Sequence, residues 1–203
     1  MKKHPVMLVT AFEPYDGSSL NPAEEVLKQL PGIIDGVSLR KVILACDSLR
    51  APVQVAELTS DPLVNIAVII GEDRRYALPT LERCAYNWLD YEIPDNLGRQ
   101  PKNSSIVSQG PEWLEASVEV TAIHISLKRK GTPINISNDP GRHLCNHVYF
   151  TTRYHTDPKP SLLLHLPRLP EQQAYPSMGL VDSLHATFGV LTFLSSLIIG
   201  EHN

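Results

Sequence analysis

The chain has 203 residues, 42% hydrophobic and 20% charged, which suits one globular domain over 1–203 with a sizeable core and would cramp two. A formal net charge of -4 provides no basic footprint, so nucleic acid is not an expected partner. Three cysteines (Cys46, Cys84, Cys145) form no CxxC pair and no metal-ligand spacing; such an odd set fits a reducing compartment with free thiols.

The opening MKKHPVMLVTAF places two lysines before an apolar run, but Pro5 interrupts it and Glu13 ends it. With no small-residue cleavage site following, a buried strand over 6–10 is expected rather than a signal peptide. A helix is predicted over 23–30, a strand over 37–45 and a helix over 50–58. The run VNIAVII, 64–70, is β-branched and continuous, reading as a strand buried on both faces and ended by Gly71. The segment 85–109 reads as long and irregular. Helical periodicity over 113–130 stops at Gly131, a plausible C-cap. A short strand over 134–137, a helix over 143–154, a strand over 162–166 and a last helix over 180–199 complete the chain. The apolar tail 186–200 is shorter than the ~20 residues a bilayer requires and reads as a core or interface helix, so no membrane is expected. Strands alternating with helices predict an α/β domain with a mostly parallel sheet and helices on both faces.

Three side chains carry candidate chemistry. Cys145 falls in NDPGRHLCNHVYF, where a loop with Pro140 and Gly141 gives way to a helical pattern. A thiol at a helix N-terminus feels the positive end of the dipole, which favours the reactive thiolate, and unpaired amides there could hold an oxyanion. His165 closes the strand SLLLHLP, and Glu82 lies in LPTLERCAYN, read as a loop beyond the third strand. The carboxyl edge of an open α/β sheet is where ligands bind. A thiol, an imidazole and a carboxylate on that rim would meet the needs of nucleophilic acyl transfer. Each residue alone has a plainer reading: a small core cysteine, a satisfied core histidine, a glutamate paired on the surface. His147 is a rival base that a helix would point away from Cys145, and Cys46 and Cys84 read as structural.

Several segments in order resemble the pyroglutamyl peptidase I (pyrrolidone carboxyl peptidase) family of cysteine exopeptidases. VTAFEPYDGSSLNPA is similar to the family's VTGFEPFGG and following NPS, LERCAYN to VERVAIN, CNHVYF to CNHVFY, HLPRLPEQ to HVPYLPEQ and PSMGL to PSMSL, while IPDNLGRQP reproduces a family loop. The resemblance implies a three-layer α/β/α sandwich around a mostly parallel twisted sheet. It also implies a cytoplasmic homo-oligomer (tetramer or dimer), no metal and no cofactor, and a small peptide or acyl-amide substrate. It assigns Cys145 as nucleophile, His165 as base and then acid, and Glu82 as the residue orienting His165, releasing an N-terminal pyroglutamyl group through an acyl-enzyme. Phe12 and Tyr15 would hold the lactam ring, whose flat apolar faces suit aromatic walls.

The departures cluster near the expected pocket. His143 stands where the family has Phe or Tyr, GEDRRY (71–76) replaces GQAGGR, and Glu92 replaces an arginine ahead of IPDN. His143 and Glu72 are therefore expected in the substrate site, as polar groups left unpaired against a bare ring. Two further readings follow: a specialised amidohydrolase of the same fold acting on another small N-acyl amide, and a non-catalytic binding protein that retains the fold.

Overall fold

A computed structural model describes residues 5–155 and 159–200. In chain order the elements are β1 (Val6–Phe12), α1 (Pro22–Gln29), β2 (Ile33–Ile34), β3 (Val37–Leu44), α2 (Arg50–Ser60), β4 (Val64–Glu72), β5 (Thr80–Glu82), β6 (Cys84–Tyr86), β7 (Trp113–Glu115), α3 (Val120–Arg129), β8 (Asn135–Ser137), α4 (Leu144–His155), β9 (Ser161–Leu166) and α5 (Leu180–Gly200). The main sheet has the order β2-β3-β1-β4-β9-β5-β8. β3, β1, β4 and β9 are parallel; β2 is an antiparallel edge, and β5 runs against β9 but parallel to β8. α1, α3 and α5 cover one face and α2 and α4 the other, which is the expected three-layer α/β/α arrangement.

Strand alternation decides what meets on each face. Leu162, Leu164 and Leu166 of β9 and Leu81 of β5 join the core beneath α1, α3 and α5. Leu163 packs on the opposite side with Val148, Tyr149 and Phe150 of α4. His165, two residues from Leu163, and Glu82, next to Leu81, therefore point toward α4. The same parity puts Phe12 in the core cluster of that face.

Three sequence expectations need correction. The strand expected to end at Gly71 continues to Glu72, with Gly71 level with His165 and Glu72 with Leu166 on β9. The helix expected from 113 begins only at Val120, because Trp113–Glu115 is drawn into an antiparallel pair with Cys84–Tyr86. Glu82 lies not in a loop but in β5, fully buried. Strands of three residues leave little periodic signal, and the partners that form them are distant in sequence.

Gly131 follows α3 with φ +80, the left-handed conformation of the expected cap. α5 has 21 residues, longer than expected, and by length and composition could cross a membrane. Its buried positions Ser183, Ala186, Thr187, Val190, Leu191, Leu194 and Ile198 recur at helical spacing, however, forming one face that packs against α1 and α3.

The irregular segment after β6 is held by side chains. Asp95 accepts from the Ser48 amide (2.8 Å) and hydroxyl (2.7 Å) and from the amides of Leu97 (3.0 Å) and Arg99 (2.8 Å). Burial alone would raise its pKa, but these donors hold it below the usual carboxylate value. Asn146 of α4 accepts from the Tyr86 amide (2.8 Å) and donates to the Tyr86 carbonyl (2.9 Å), tying α4 to β6.

Candidate active site

Cys145, the second residue of α4, sits half-buried at the helix start. The first intrahelical bond runs from the His147 amide to the His143 carbonyl, so the amides of Leu144, Cys145 and Asn146 precede the ladder. Across from the thiol, His165 ends β9 with 1% of its surface exposed. Its Nδ1 lies 2.8 Å from Glu82 Oε1, which leaves Nε2 as the nitrogen turned toward Cys145. Burial works against a charge on this imidazole, but the Cys145 sulfur and the Glu82 carboxylate outweigh it and raise its pKa above the ordinary histidine value.

Gly71 explains how the two can approach. A Cβ built there would fall 2.6 Å from Cys145 Sγ, 3.0 Å from His165 Cδ2 and 3.3 Å from His165 Nε2. The sulfur and the ring thus converge over a backbone that has to lack a side chain.

The thiol opens into a cleft of about 440 Å³ lined by Phe12, Tyr15, Glu72, Trp88, His143 and His165 among others. Flat rings share the lining with charged side chains such as Asp73, Arg74 and Asp90. Phe12 is 2% exposed at the end of β1. Tyr15 and His143 face one another with centroids 6.3 Å apart, and His143 packs on Tyr91 at 4.2 Å. The His143 Nε2 lies 3.1 Å from the Ile93 carbonyl oxygen, so that nitrogen carries the proton; burial pushes its pKa down and keeps the ring neutral.

Glu72 lies where the sequence places it, on the cleft, but it is not unpaired. The Tyr15 hydroxyl (3.2 Å), Arg168 Nε (3.1 Å) and Gln172 Nε2 (3.0 Å) all donate to its carboxylate. Glu92 is 77% exposed on its side chain and pairs with Arg74 at the mouth. The expectation of orphaned polar groups facing the ring therefore fails: His143, Glu72 and Glu92 each have a partner, so none is left as an unsatisfied polar group.

His147 points away from the thiol, as the helix requires, with Nδ1 3.2 Å from the Tyr91 hydroxyl. Burial lowers its pKa to about 4, so it is a neutral core residue rather than a rival base. Cys84 donates to the Asn138 carbonyl at 3.2 Å. Cys46 donates to the Glu13 carbonyl at 3.4 Å and borders the cleft, where burial raises its pKa and keeps it a thiol. Among the described residues no group of three or more His, Cys, Asp and Glu is placed to hold a metal ion.

Sequence reasoning missed Arg168 and Gln172, which saturate Glu72, and Trp88, 42% exposed at the mouth. It also missed Tyr76, whose hydroxyl reaches Glu82. The signal for Arg168, Gln172 and Tyr76 lay inside quoted motifs, HLPRLPEQ and GEDRRY, but nothing local distinguished a partner of the site from a surface polar residue.

Comparison with known proteins agrees with this geometry. The model of the pyroglutamyl peptidase family matches residues 5–192. A pyrrolidone-carboxylate peptidase of Thermosipho melanesiensis is 30% identical over 190 residues, covering 90% of this chain and 94% of that one. Another, from Vibrio campbellii, is 34% identical over 194 residues, with 89% and 86% covered. The crystal structure of pyrrolidone carboxyl peptidase from Fervidobacterium islandicum superposes with a TM-score of 0.89 at 31% identity, covering 95% of this chain and 99% of that chain.

Proposed function

Since the chain belongs to the pyroglutamyl peptidase family, we propose that it is a cysteine peptidase that removes an N-terminal pyroglutamyl group from peptides or amides. The observation that carries this reading is the line Cys145–His165–Glu82: a thiol over Gly71, an imidazole beside it, and a carboxylate 2.8 Å from Nδ1.

In the proposed reaction the Cys145 Sγ proton passes to His165 Nε2 and the sulfur attacks the acyl carbonyl carbon. The C–S bond forms as the carbonyl π pair moves to oxygen, where amides at the start of α4 stabilise the oxyanion. The C–N bond then breaks, and the departing amine takes the proton from Nε2, leaving a thioester. Water gives a proton to Nε2 and attacks the same carbon; the C–S bond breaks with its electron pair going to sulfur, the Nε2 proton returns to that sulfur, and pyroglutamate leaves. Glu82 holds Nδ1–H throughout, fixing the tautomer and stabilising the imidazolium. Phe12, Tyr15 and His143 supply flat walls for a neutral ring.

A chromogenic pyroglutamyl amide tests the proposal. Wild type should hydrolyse it, Cys145→Ala and Cys145→Ser should lose activity with the fold retained, and Cys46→Ser and Cys84→Ser should keep most of it. Hydrolysis that persists in Cys145→Ala, or a wild type inert on every pyroglutamyl amide, would overturn it.

We also propose a cytoplasmic homo-oligomer. Free cysteines suit a reducing compartment, and Val181, Phe188 and Leu197 leave apolar surface exposed along α5. A monomeric elution volume at micromolar concentration would remove the oligomer.

A further inference from the structure

The Glu82 carboxylate is fully buried, and its needs are only half met by His165. Oε1 accepts from His165 Nδ1, whereas Oε2 has no hydrogen-bond partner among the described residues. The one other donor that reaches the carboxylate among those residues is the Tyr76 hydroxyl, 3.0 Å from Oε1. Its ring lies 5.9 Å from that of His165. The same hydroxyl is 2.9 Å from Ser137 Oγ and 3.2 Å from the Asp139 carbonyl oxygen.

A phenol has one proton to give, and the neighbours decide where it goes. A carboxylate is a stronger acceptor than a neutral hydroxyl or a carbonyl, so the proton is directed to Glu82. Ser137 can then donate its own proton to the Tyr76 oxygen, while Ser137 Oγ accepts from the Asp139 amide at 2.8 Å. The result is a continuous chain: Asp139 N–H to Ser137, Ser137 to Tyr76, Tyr76 to Glu82, with His165 on the far side of the same oxygen. Each donor polarises the next. Burial raises the Tyr76 pKa, which keeps the phenol a donor across the working range.

We propose that Tyr76 is a positioning residue of the catalytic line, holding the Glu82 carboxylate toward His165 through a relay anchored on β8. The inference rests on the proposed roles of Cys145, His165 and Glu82. Tyr76 touches neither substrate nor thiol, and its effect is exerted through the orientation and basicity of Glu82. The other charged or titratable groups facing this line are Asp73 and Arg75 past β4, Cys84 on β6, Asp139 past β8, and Cys145 and Tyr149 on α4. Arg75 sits 5.3 Å over the Tyr76 ring but is bound to Asp73 and Asp139, so it does not replace the hydroxyl.

The test is Tyr76→Phe, which keeps the ring and removes only the donor, measured beside wild type on one pyroglutamyl amide. A hydrogen bond to a buried charge predicts about a tenfold or greater fall in kcat with KM nearly unchanged. With one donor gone, the carboxylate binds the imidazolium proton more tightly, so the alkaline limb of kcat/KM should move to higher pH. Ser137→Ala should show a smaller loss in the same direction, because it removes the group that polarises Tyr76. A Tyr76→Phe enzyme with wild-type kcat and an unshifted alkaline limb overturns the inference, and so does one that merely melts lower. If Tyr76→Phe fails to fold, Ser137→Ala decides: an unchanged kcat and pH profile there also overturns it. An inert wild type would instead sink the reading of the catalytic line itself.

Discussion

On the β9 side of the cleft, His165 is buried beside a carboxylate 2.8 Å from Nδ1, and its pKa is raised. On the α4 side, His143 and His147 are half-buried against a carbonyl, a phenol and an aromatic ring, and both are lowered. All three imidazoles lose water; only His165 has a carboxylate in hydrogen-bond contact. Burial by itself drives histidine toward the neutral form, and a buried carboxylate reverses the sign. The cleft therefore has one wall that can carry a proton and one that offers neutral flat surface. That division matches a reaction on an uncharged ring beside a thiol.

The comparison breaks most completely if the two chemical groups are forced apart. Gly71→Ala adds a methyl that would meet Cys145 Sγ at 2.6 Å and the His165 ring at 3.0 Å, so one of them must move. Because misplacement of reacting groups by about 1 Å can cost on the order of a hundredfold, kcat should fall at least that far. Circular dichroism should remain native; retained activity in a folded Gly71→Ala would show that the close approach is not needed.

Glu82→Gln removes the anion while keeping an acceptor for Nδ1–H. Exchanging a charge-assisted hydrogen bond for a neutral one predicts roughly a ten- to hundredfold loss of kcat, less than for His165→Ala. The sign of the pH effect is fixed by the same logic. Glu82 helps raise the His165 pKa, so without it the alkaline limb should move to lower pH, opposite to the shift expected for Tyr76→Phe. An unmoved limb in Glu82→Gln would dissociate the carboxylate from the imidazole's charge.

His147, which does not line the cleft, sharpens the comparison through stability. Its folded pKa of about 4 lies below the ordinary histidine value of about 6.5. A depressed value means that the unfolded chain binds the proton first, so stability present above pH 6.5 is lost as the pH falls toward 4. The loss from this group is up to about 3 kcal/mol. Melting curves of wild type and His147→Gln between pH 7 and 4 should converge in acid, the variant losing less. Parallel curves would mean that His147 does not titrate below its usual range.

The smallest effect is expected at His143. His143→Phe keeps a flat ring on Tyr91 but gives up the contact with the Ile93 carbonyl, so kcat/KM on a pyroglutamyl amide should change by only a few-fold. A gain of a hundredfold would mean that His143 is, after all, an unpaired polar group against the ring.

The amino-acid sequence by itself determined the long periodic elements and picked out the candidate reacting residues. VNIAVII and SLLLHL could only be buried strands, the 180–199 helix was legible from its apolar run, and the motifs around Cys145, His165 and Glu82 came in family order. The short strands β2 and β5 to β8 were not legible as strands, apart from β8, because two or three residues become a strand only when a distant partner supplies the hydrogen bonds. That is why Glu82 read as a loop residue and Trp113 as helical. Tertiary structure alone also decided the charges. Whether Glu72 is an orphan or the hub of Tyr15, Arg168 and Gln172, and whether a histidine is raised or lowered, depends on groups far away in the sequence, up to 100 residues. A sequence specifies which side chains are present, but the free energy of a buried charge is set by the few atoms within hydrogen-bonding reach of it, and folding chooses those atoms.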